Sequence, residues 1–145
     1  MNWKLLAVMG ALLGAAPAAA QAKIEIYGGA NYWMAREAAL FDVGVKVGAE
    51  LADNLSLGFR GGVYVVPDSN RLGIPLDVFL NYQVHRTPLY FEAMVGPWLS
   101  LSGGDFLRTH GGGGFGLKFG AVKLGVEAAY LAPGGMLGAR LGIEL

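Results

Sequence analysis

The sequence predicts an all-β protein, namely an eight-stranded antiparallel up-and-down transmembrane β-barrel with a polar, ion-paired lumen. The main observation is that residues 24–145 divide into eight strands in which every charged residue falls on one face. Side chains alternate with period two along a strand, so the uncharged face can meet lipid while the charged face lines an interior. A second observation is that longer and tighter connections alternate along the chain, which is typical of membrane barrels.

We predict strands at 24–35, 41–51, 55–66, 74–85, 89–101, 110–119, 122–131 and 136–145. Each has about the nine to eleven residues that a tilted strand needs to cross a bilayer. The connections after the first, third and fifth strands are the longer ones, and those after the second, fourth and sixth are tight. Residues 132–135 form a short fourth loop on the longer-loop side. This arrangement predicts that both termini lie in the periplasm.

The charged face is predicted to point into the lumen. A charge on the lipid face would cost roughly 2–4 kcal/mol near the bilayer midplane for Arg or Lys. Many glycines share the charged face, and they leave room for long side chains to pair across a narrow barrel. The predicted lumen charges are Glu25, Asp42, Lys46, Glu50, Arg60, Asp77, Glu92, Lys118, Lys123, Glu127, Arg140 and Glu144.

Loop lengths predict which lumen charges pair. If residues 132–135 are a four-residue loop, Glu127 lies opposite Arg140 and Lys123 lies opposite Glu144. These two contacts are the predicted structural ion pairs of the lumen.

The tight turns, in contrast, set like charges side by side. They place Lys46 opposite Arg60 and Lys118 opposite Lys123. Like charges directly opposite each other destabilise a sheet, so we expect diagonal acids or water to relieve both pairs.

Aromatic residues of the uncharged face lie near the ends of the predicted strands. Tyr32, Phe41 and Tyr130 lie toward the loop side, and Tyr82 and Phe119 lie toward the turn side. Amphipathic aromatic side chains favour the membrane–water interface, so these residues are predicted to form the two interface girdles.

Residues 1–22 have the features of a secretory signal peptide. Lys4 precedes an apolar run from Leu5 to about Ala16, and the segment ends in the small-residue sequence 20–22, Ala-Gln-Ala. The apolar run is shorter than the ~20 residues of a spanning helix. We therefore predict a cleaved signal peptide at 1–22 and a single barrel domain at 23–145.

Composition limits the possible functions. The chain has 11 basic and 11 acidic residues, which gives no electrostatic support for nucleic-acid binding. It has no cysteine and only 2 histidines, so neither a disulfide nor a transition-metal site or other cofactor is expected. Hydrophobic residues make up 54% of the chain and charged residues only 15%, which fits a protein whose outer solvent is lipid.

One pair of residues raises the question of catalysis. A hairpin centred near 105–106 would pair Ser102 with His110 at the external rim of the lumen, where a serine could serve as nucleophile and a histidine as base. The nearest acid that could orient the histidine, Glu127, lies opposite Gly114, farther down the strand. The favoured interpretation is two polar residues hydrogen-bonded at a wet rim, and no enzyme activity is predicted.

The segment 23–145 resembles the small eight-stranded outer-membrane barrels of the OmpA/OmpX type. The resemblance rests on the strand count, the alternation, the difference in loop length between the two ends, the signal peptide and the apolar alternation of Leu141, Ile143 and Leu145 in the last strand. It implies the outer membrane of a diderm bacterium, contact with outer-membrane lipids and recognition by the barrel-assembly machinery. In that family the last residue is commonly aromatic, whereas here it is leucine.

The predicted function is that of a small non-enzymatic barrel with a structural or interaction role in the cell envelope, where other envelope proteins are possible partners. Two alternatives stay open. The lumen could be a narrow pore for ions or small solutes, because its glycines could leave a thread of water. The chain could instead be a soluble exported barrel of the lipocalin type, with the charged face outside and an apolar ligand within.

Overall fold

The computed structural model describes residues 22–102 and 105–145, so the predicted signal peptide lies outside the described residues except for its last one. The strands are β1 (Lys23–Trp33), β2 (Ala38–Ala52), β3 (Leu55–Val66), β4 (Arg71–Gln83), β5 (Leu89–Ser100), β6 (Leu107–Phe119), β7 (Val122–Leu131) and β8 (Gly134–Glu144). Single 3-10 turns at Met34–Arg36 and Pro67–Ser69 connect β1 to β2 and β3 to β4. No helix within the described residues is long and apolar enough to cross a membrane.

The eight strands form a closed antiparallel barrel. Each strand pairs with the next in sequence, and β8 closes the barrel against β1. Ile26, for example, lies opposite Val45 on one side and Ile143 on the other. Closure leaves no unpaired sheet edge, which is the condition for a sheet to exist within lipid. The predicted fold class is confirmed.

The two faces of the barrel separate as the alternation predicts. The outward positions of the described strands carry uncharged side chains, including the half-exposed Val43 and Val95. The inward positions carry the charges, most of which are buried, among them Arg60 and Asp77 at 2% exposure each. An inverted calyx would show the opposite arrangement.

Several strands extend farther toward the loop end than predicted. β2 begins at Ala38 instead of residue 41, β4 at Arg71, β6 at Leu107 and β8 at Gly134. The alternation of inward and outward side chains continues through Ala38 and the fully buried Leu40. Both pack inside the barrel, so strand pairing extends to these residues. The external connections therefore shrink to 34–37, 67–70, 101–106 and 132–133. With turns at 53–54, 84–88 and 120–121, the difference in length between the two ends is small.

The tight turns show the predicted register. Lys46 lies opposite Arg60, and Lys118 lies opposite Lys123. Asn54 and Gly120 adopt the left-handed conformation that their turns require, with φ of 64° and 60°.

The register of the last hairpin differs from the prediction. Leu131 pairs with Gly134, so the loop contains two residues instead of four. Glu127 consequently lies opposite Gly138, and Lys123 lies opposite Gly142. A shift of two residues keeps every side chain on its face, because the pleat has period two.

Gly96 provides a test of how closely the strands approach inside the barrel. A Cβ at this position would overlap the carbonyl oxygen of Leu76 on the neighbouring strand, and backbone cannot move aside as a flexible side chain can. At Gly48, also inward, a Cβ would lie 3.1 Å from Cζ of Phe79. We expect Gly96→Ala to lower the free energy of unfolding by about 1–3 kcal/mol and Gly48→Ala by less, measured by denaturant titration in detergent. Equal effects would contradict the packing described here.

Candidate functional site

The lumen is closed at its loop end by a cluster of apolar side chains, here called the apolar plug. Its members are Trp33, Ala38, Leu40, Tyr64, Val66, Trp98, Leu131 and Met136, which are all buried. The indole nitrogen of Trp33 donates a hydrogen bond to the carbonyl oxygen of Leu131, at 3.0 Å. The plug therefore joins the first and last hairpins across the barrel interior. Sequence reasoning missed this cluster.

A stack of rings connects the plug to the charges below it. The Trp98 ring stacks on Tyr64 at 5.0 Å between centroids and on His110 at 4.6 Å. His110 has no exposed surface. The apolar end of the lumen thus passes directly into the ionic region.

Asp77 is the centre of the part of that ionic region that lies nearest the loop end. Its carboxylate accepts hydrogen bonds from Nε of Arg60 at 2.8 Å and from the indole nitrogen of Trp98 at 3.1 Å. Nη2 of Arg60 lies 2.5 Å from the same carboxylate, and Nδ1 of His110 lies 2.8 Å away. Asp77 is therefore surrounded by three different donors, in a region that water does not reach.

The middle of the lumen continues the network through alternating acids and bases. Glu127 accepts a hydrogen bond from Arg140 and lies 3.6 Å from Nη1 of Arg60. Arg140 also donates from Nη1 to Glu92, at 3.2 Å. Glu92 in turn accepts two hydrogen bonds from Nζ of Lys46, at 2.7 and 2.8 Å.

The network continues to the turn end of the lumen. Glu25 lies 3.4 Å from Lys46 and accepts a hydrogen bond from Lys123 at 2.7 Å. Lys123 lies 3.4 Å from Glu144, which also accepts a hydrogen bond from Lys118 at 2.7 Å. One unbroken chain of ion pairs, here called the ionic ladder, therefore runs from Asp77 to Glu144. Each charge of the ladder has a close partner of opposite sign, which offsets the cost of removing it from water.

Two predicted lumen acids lie beside the ladder. The Asp42 carboxylate accepts a hydrogen bond from the Asn31 amide at 2.9 Å. Glu50 lies at the turn end, where it forms an exposed ion pair with Lys23 at 2.5 Å. The structure thus places all twelve predicted lumen charges on the inward face.

The two predicted ion pairs do form contacts, but diagonally and not between directly opposite residues. Arg140 reaches Glu127 and Lys123 reaches Glu144 across the shifted register of the last hairpin. The like-charge neighbours are separated by acids as expected, since Lys118 and Lys123 share Glu144.

A cavity of about 320 Å³ opens at the turn end of the ladder. Lys23, Glu50, Asn81, Lys118 and Lys123 are among the residues that line it. The lumen is therefore a cup, open at the end where the described chain begins and closed by the apolar plug at the other end.

The predicted contact between Ser102 and His110 is wrong. His110 lies opposite Gly96, six residues before Ser102, because the observed register of the β5–β6 hairpin differs from the predicted one. Ser102 instead accepts a hydrogen bond from the backbone N–H of Leu72 at 2.7 Å and donates to the carbonyl of Asn70 at 3.2 Å. His110 lies deep in the lumen and not at a wet rim.

Within residues 22–102 and 105–145, no group of three His, Cys, Asp or Glu side chains is arranged to hold a metal ion. The ladder residues contact one another, so their chemistry is that of a filled, charge-balanced interior.

The five predicted girdle aromatics all lie on the outer surface. Their exposed fractions lie between 45% and 56%, and the residues are Tyr32, Phe41, Tyr82, Phe119 and Tyr130. Tyr32 and Tyr130 lie near the loop end, while Tyr82 and Phe119 lie beside the turns.

Solved structures with the same architecture include transmembrane barrels. A de novo designed transmembrane β-barrel superimposes with a TM-score of 0.67 at 13% identity, over 85% of this chain and 95% of that chain. The chain has the fold of transmembrane β-barrels. The N-terminal β-barrel domain of Pseudomonas aeruginosa OprF has a TM-score of 0.57 and 18% identity, over 87% of this chain and 99% of that domain. Neisserial surface protein A has a TM-score of 0.50 and 13% identity, over 86% of this chain and 96% of that chain.

Sequence comparison adds no family assignment. No model of a protein family matches the chain, and no curated protein matches it. At these identities the structural neighbours establish the fold of the chain, and its function has to be argued from its own residues.

Proposed function

We propose that this protein is a small non-enzymatic barrel of the outer membrane of a diderm bacterium, with a structural or interaction role in the cell envelope. The observation that carries the proposal is the combination of an uncharged outer surface with a lumen filled by the ionic ladder and closed by the apolar plug. Such a molecule offers lipid a continuous apolar surface, while its interior holds the sheet together.

The location follows from the outward face and the fold. Half-exposed apolar side chains cover the barrel wall, and a surface of this kind is stable only against lipid or a partner. The resemblance to OmpA/OmpX-type barrels, together with the signal-like segment 1–22, supports export, signal cleavage and periplasmic termini. The proposed partners are outer-membrane lipids, the barrel-assembly machinery and other envelope proteins.

The proposal that the lumen does not conduct ions has a direct physical basis. An ion entering the open end meets Lys46, Glu92 and Arg140 in direct contact, and beyond them the plug residues Trp33 and Leu40, which are essentially inaccessible to water. Eight strands enclose a lumen that side chains can fill. This disfavours the narrow pore considered from the sequence.

Planar-bilayer recording tests the proposal. We expect the reconstituted protein to produce no stable unitary current, because the plug removes the water path. A large open porin inserted under the same conditions serves as the positive control. A reproducible single-channel conductance from folded protein would refute the closed-lumen proposal, and turnover of a lipid substrate would refute the non-enzymatic one.

A further inference from the structure

The loop end of the barrel carries a charged cleft that is separate from the lumen. The 3-10 turns at Met34–Arg36 and Pro67–Ser69 have the same form, and each is followed by a residue in the left-handed conformation. Between them lies a cleft of about 330 Å³, here called the rim cleft. It is lined by Arg36, Glu37, Ala38, Asp68, Ser69 and Arg71.

The charges of the rim cleft are not paired with one another. None of Arg36, Glu37, Asp68 and Arg71 takes part in an ion pair with another described residue. The ladder charges, in contrast, are each within ion-pair distance of a partner. Nη1 of Arg71 is moreover buried and has no hydrogen-bond partner among the described residues. A buried donor without a partner costs free energy, which a ligand with an acceptor oxygen can recover.

Arg36 of the rim cleft is positioned by a contact with an indole ring. The guanidinium of Arg36 lies 5.7 Å from the centroid of the Trp33 ring, and that of Arg108 lies 5.0 Å from the same centroid. Cation–π contacts of this kind hold an arginine without using its hydrogen-bond donors. Arg36 therefore keeps its donors available for a ligand.

The mixture of charges determines which ligand fits. Arg36 and Arg71 together suit a phosphate, because guanidinium groups bind phosphate oxygens through paired hydrogen bonds. Glu37 and Asp68 would repel a simple anion in the same cleft and would attract a cation. A phosphate that carries its own ammonium group satisfies both pairs.

The position of the rim cleft suits a lipid head group. Tyr32 precedes the first turn by two residues, is 49% exposed on the outer wall and belongs to the aromatic positions typical of the head-group level. A group bound between the two turns would be continuous with the lipid around the barrel. We propose that the rim cleft binds the zwitterionic phosphoethanolamine head group of a membrane lipid. The lipid source rests on the proposed membrane location, whereas the binding chemistry of the cleft does not.

Phosphorus NMR of free phosphoethanolamine, titrated with folded barrel in a phosphate-free sugar detergent, tests the chemistry. We expect saturable binding that Arg71→Gln or Arg36→Gln weakens by about tenfold or more. Asp68→Asn should weaken binding of phosphoethanolamine and strengthen binding of inorganic phosphate, because it removes a repelling charge. Arg86→Gln, at the opposite end of the barrel, is the matched control and should bind as the unchanged protein does.

Several outcomes would overturn the proposal. The first is the absence of phosphoethanolamine binding by folded protein. The second is binding by the Arg36→Gln and Arg71→Gln variants that equals binding by the unchanged protein. The third is an Asp68→Asn variant whose relative affinity for phosphoethanolamine and inorganic phosphate is unchanged. Heat-modifiable gel mobility confirms that each variant is folded. Because these measurements use detergent, they succeed or fail independently of membrane location and conductance.

Native mass spectrometry tests the lipid source. Protein released from bilayers of equal parts phosphatidylethanolamine and phosphatidylglycerol should retain phosphatidylethanolamine, and the double variant Arg36→Gln/Arg71→Gln should lose it. Retention of neither lipid by the unchanged protein, or equal retention of both, would refute the head-group assignment.

Discussion

Val45→Arg is expected to block membrane insertion. Val45 lies at the middle of β2 on the outer wall, opposite Ile26 and Gly61, and is 41% exposed. An arginine there would face hydrocarbon near the bilayer midplane, at a cost of roughly 2–4 kcal/mol. Folding into phospholipid vesicles, followed by heat-modifiable mobility, should show little folded protein for this variant.

Two controls separate the effect of the charge from that of the substitution. Phe119→Arg puts the same side chain on the outer wall beside a turn, where the cost falls to about 0–1 kcal/mol, so it should insert. Gly48→Ala changes the lumen face without adding charge and should also insert. If Val45→Arg inserts as well as both controls, lipid does not surround this face.

Asp77→Ala is expected to cause the largest loss of stability among the lumen substitutions. The carboxylate is the common acceptor of Arg60, His110 and Trp98, and its side chain has no exposed surface. Removing it leaves the Arg60 charge buried without its closest partner, which costs about 3–5 kcal/mol in comparable buried pairs. Denaturant unfolding of the refolded barrel measures the change.

Two further variants define the origin of that loss. Asp77→Asn keeps an acceptor oxygen for Trp98 and His110 but removes the charge, so its effect should be intermediate. Glu50→Ala breaks the ion pair with Lys23. The side chains of Lys23 and Glu50 are 43% and 54% exposed, so the loss of stability should be about 1 kcal/mol or less. Equal losses for Asp77→Ala and Glu50→Ala would contradict a dry, charge-balanced lumen.

The alternation of side chains was sufficient to predict the barrel and its two faces. Glu25 and Lys123 are far apart in sequence, yet parity alone assigned both to the lumen, where they now form a hydrogen bond. The tight turn at 120–121 likewise determined its own register. These features depend on neighbours in sequence and on period two, and both can be read from the chain.

The register of the last hairpin could not be predicted in the same way. A four-residue and a two-residue loop at 132–135 differ by a shift of two residues, and both keep Glu127 and Arg140 on the lumen face. Face assignment therefore cannot distinguish them. The diagonal contact between these side chains is possible in the observed register because an arginine is long enough to span the offset.

Contacts across the lumen were also beyond sequence reasoning. Asp77 on β4 and His110 on β6 belong to strands that do not pair, and their 2.8 Å contact depends on how the closed barrel brings them together. The apolar plug did leave a signal, since Trp33 and Trp98 share the parity of nearby charged residues. Both residues lie within the predicted strands, and of the plug residues only Ala38 and Leu40 lie beyond a predicted strand end. What the alternation could not show is that these apolar side chains meet one another across the closed barrel.

A lumen that is open at one end only determines the side from which dissolved molecules reach its charges. In the proposed orientation, protons and buffer molecules reach Glu144, Lys123 and Glu25 from the periplasm, whereas Trp33, Leu40 and Trp98 separate Asp77 from the medium outside the cell. The lumen charges are then accessible to water-soluble molecules from the periplasm and shielded from the medium outside the cell.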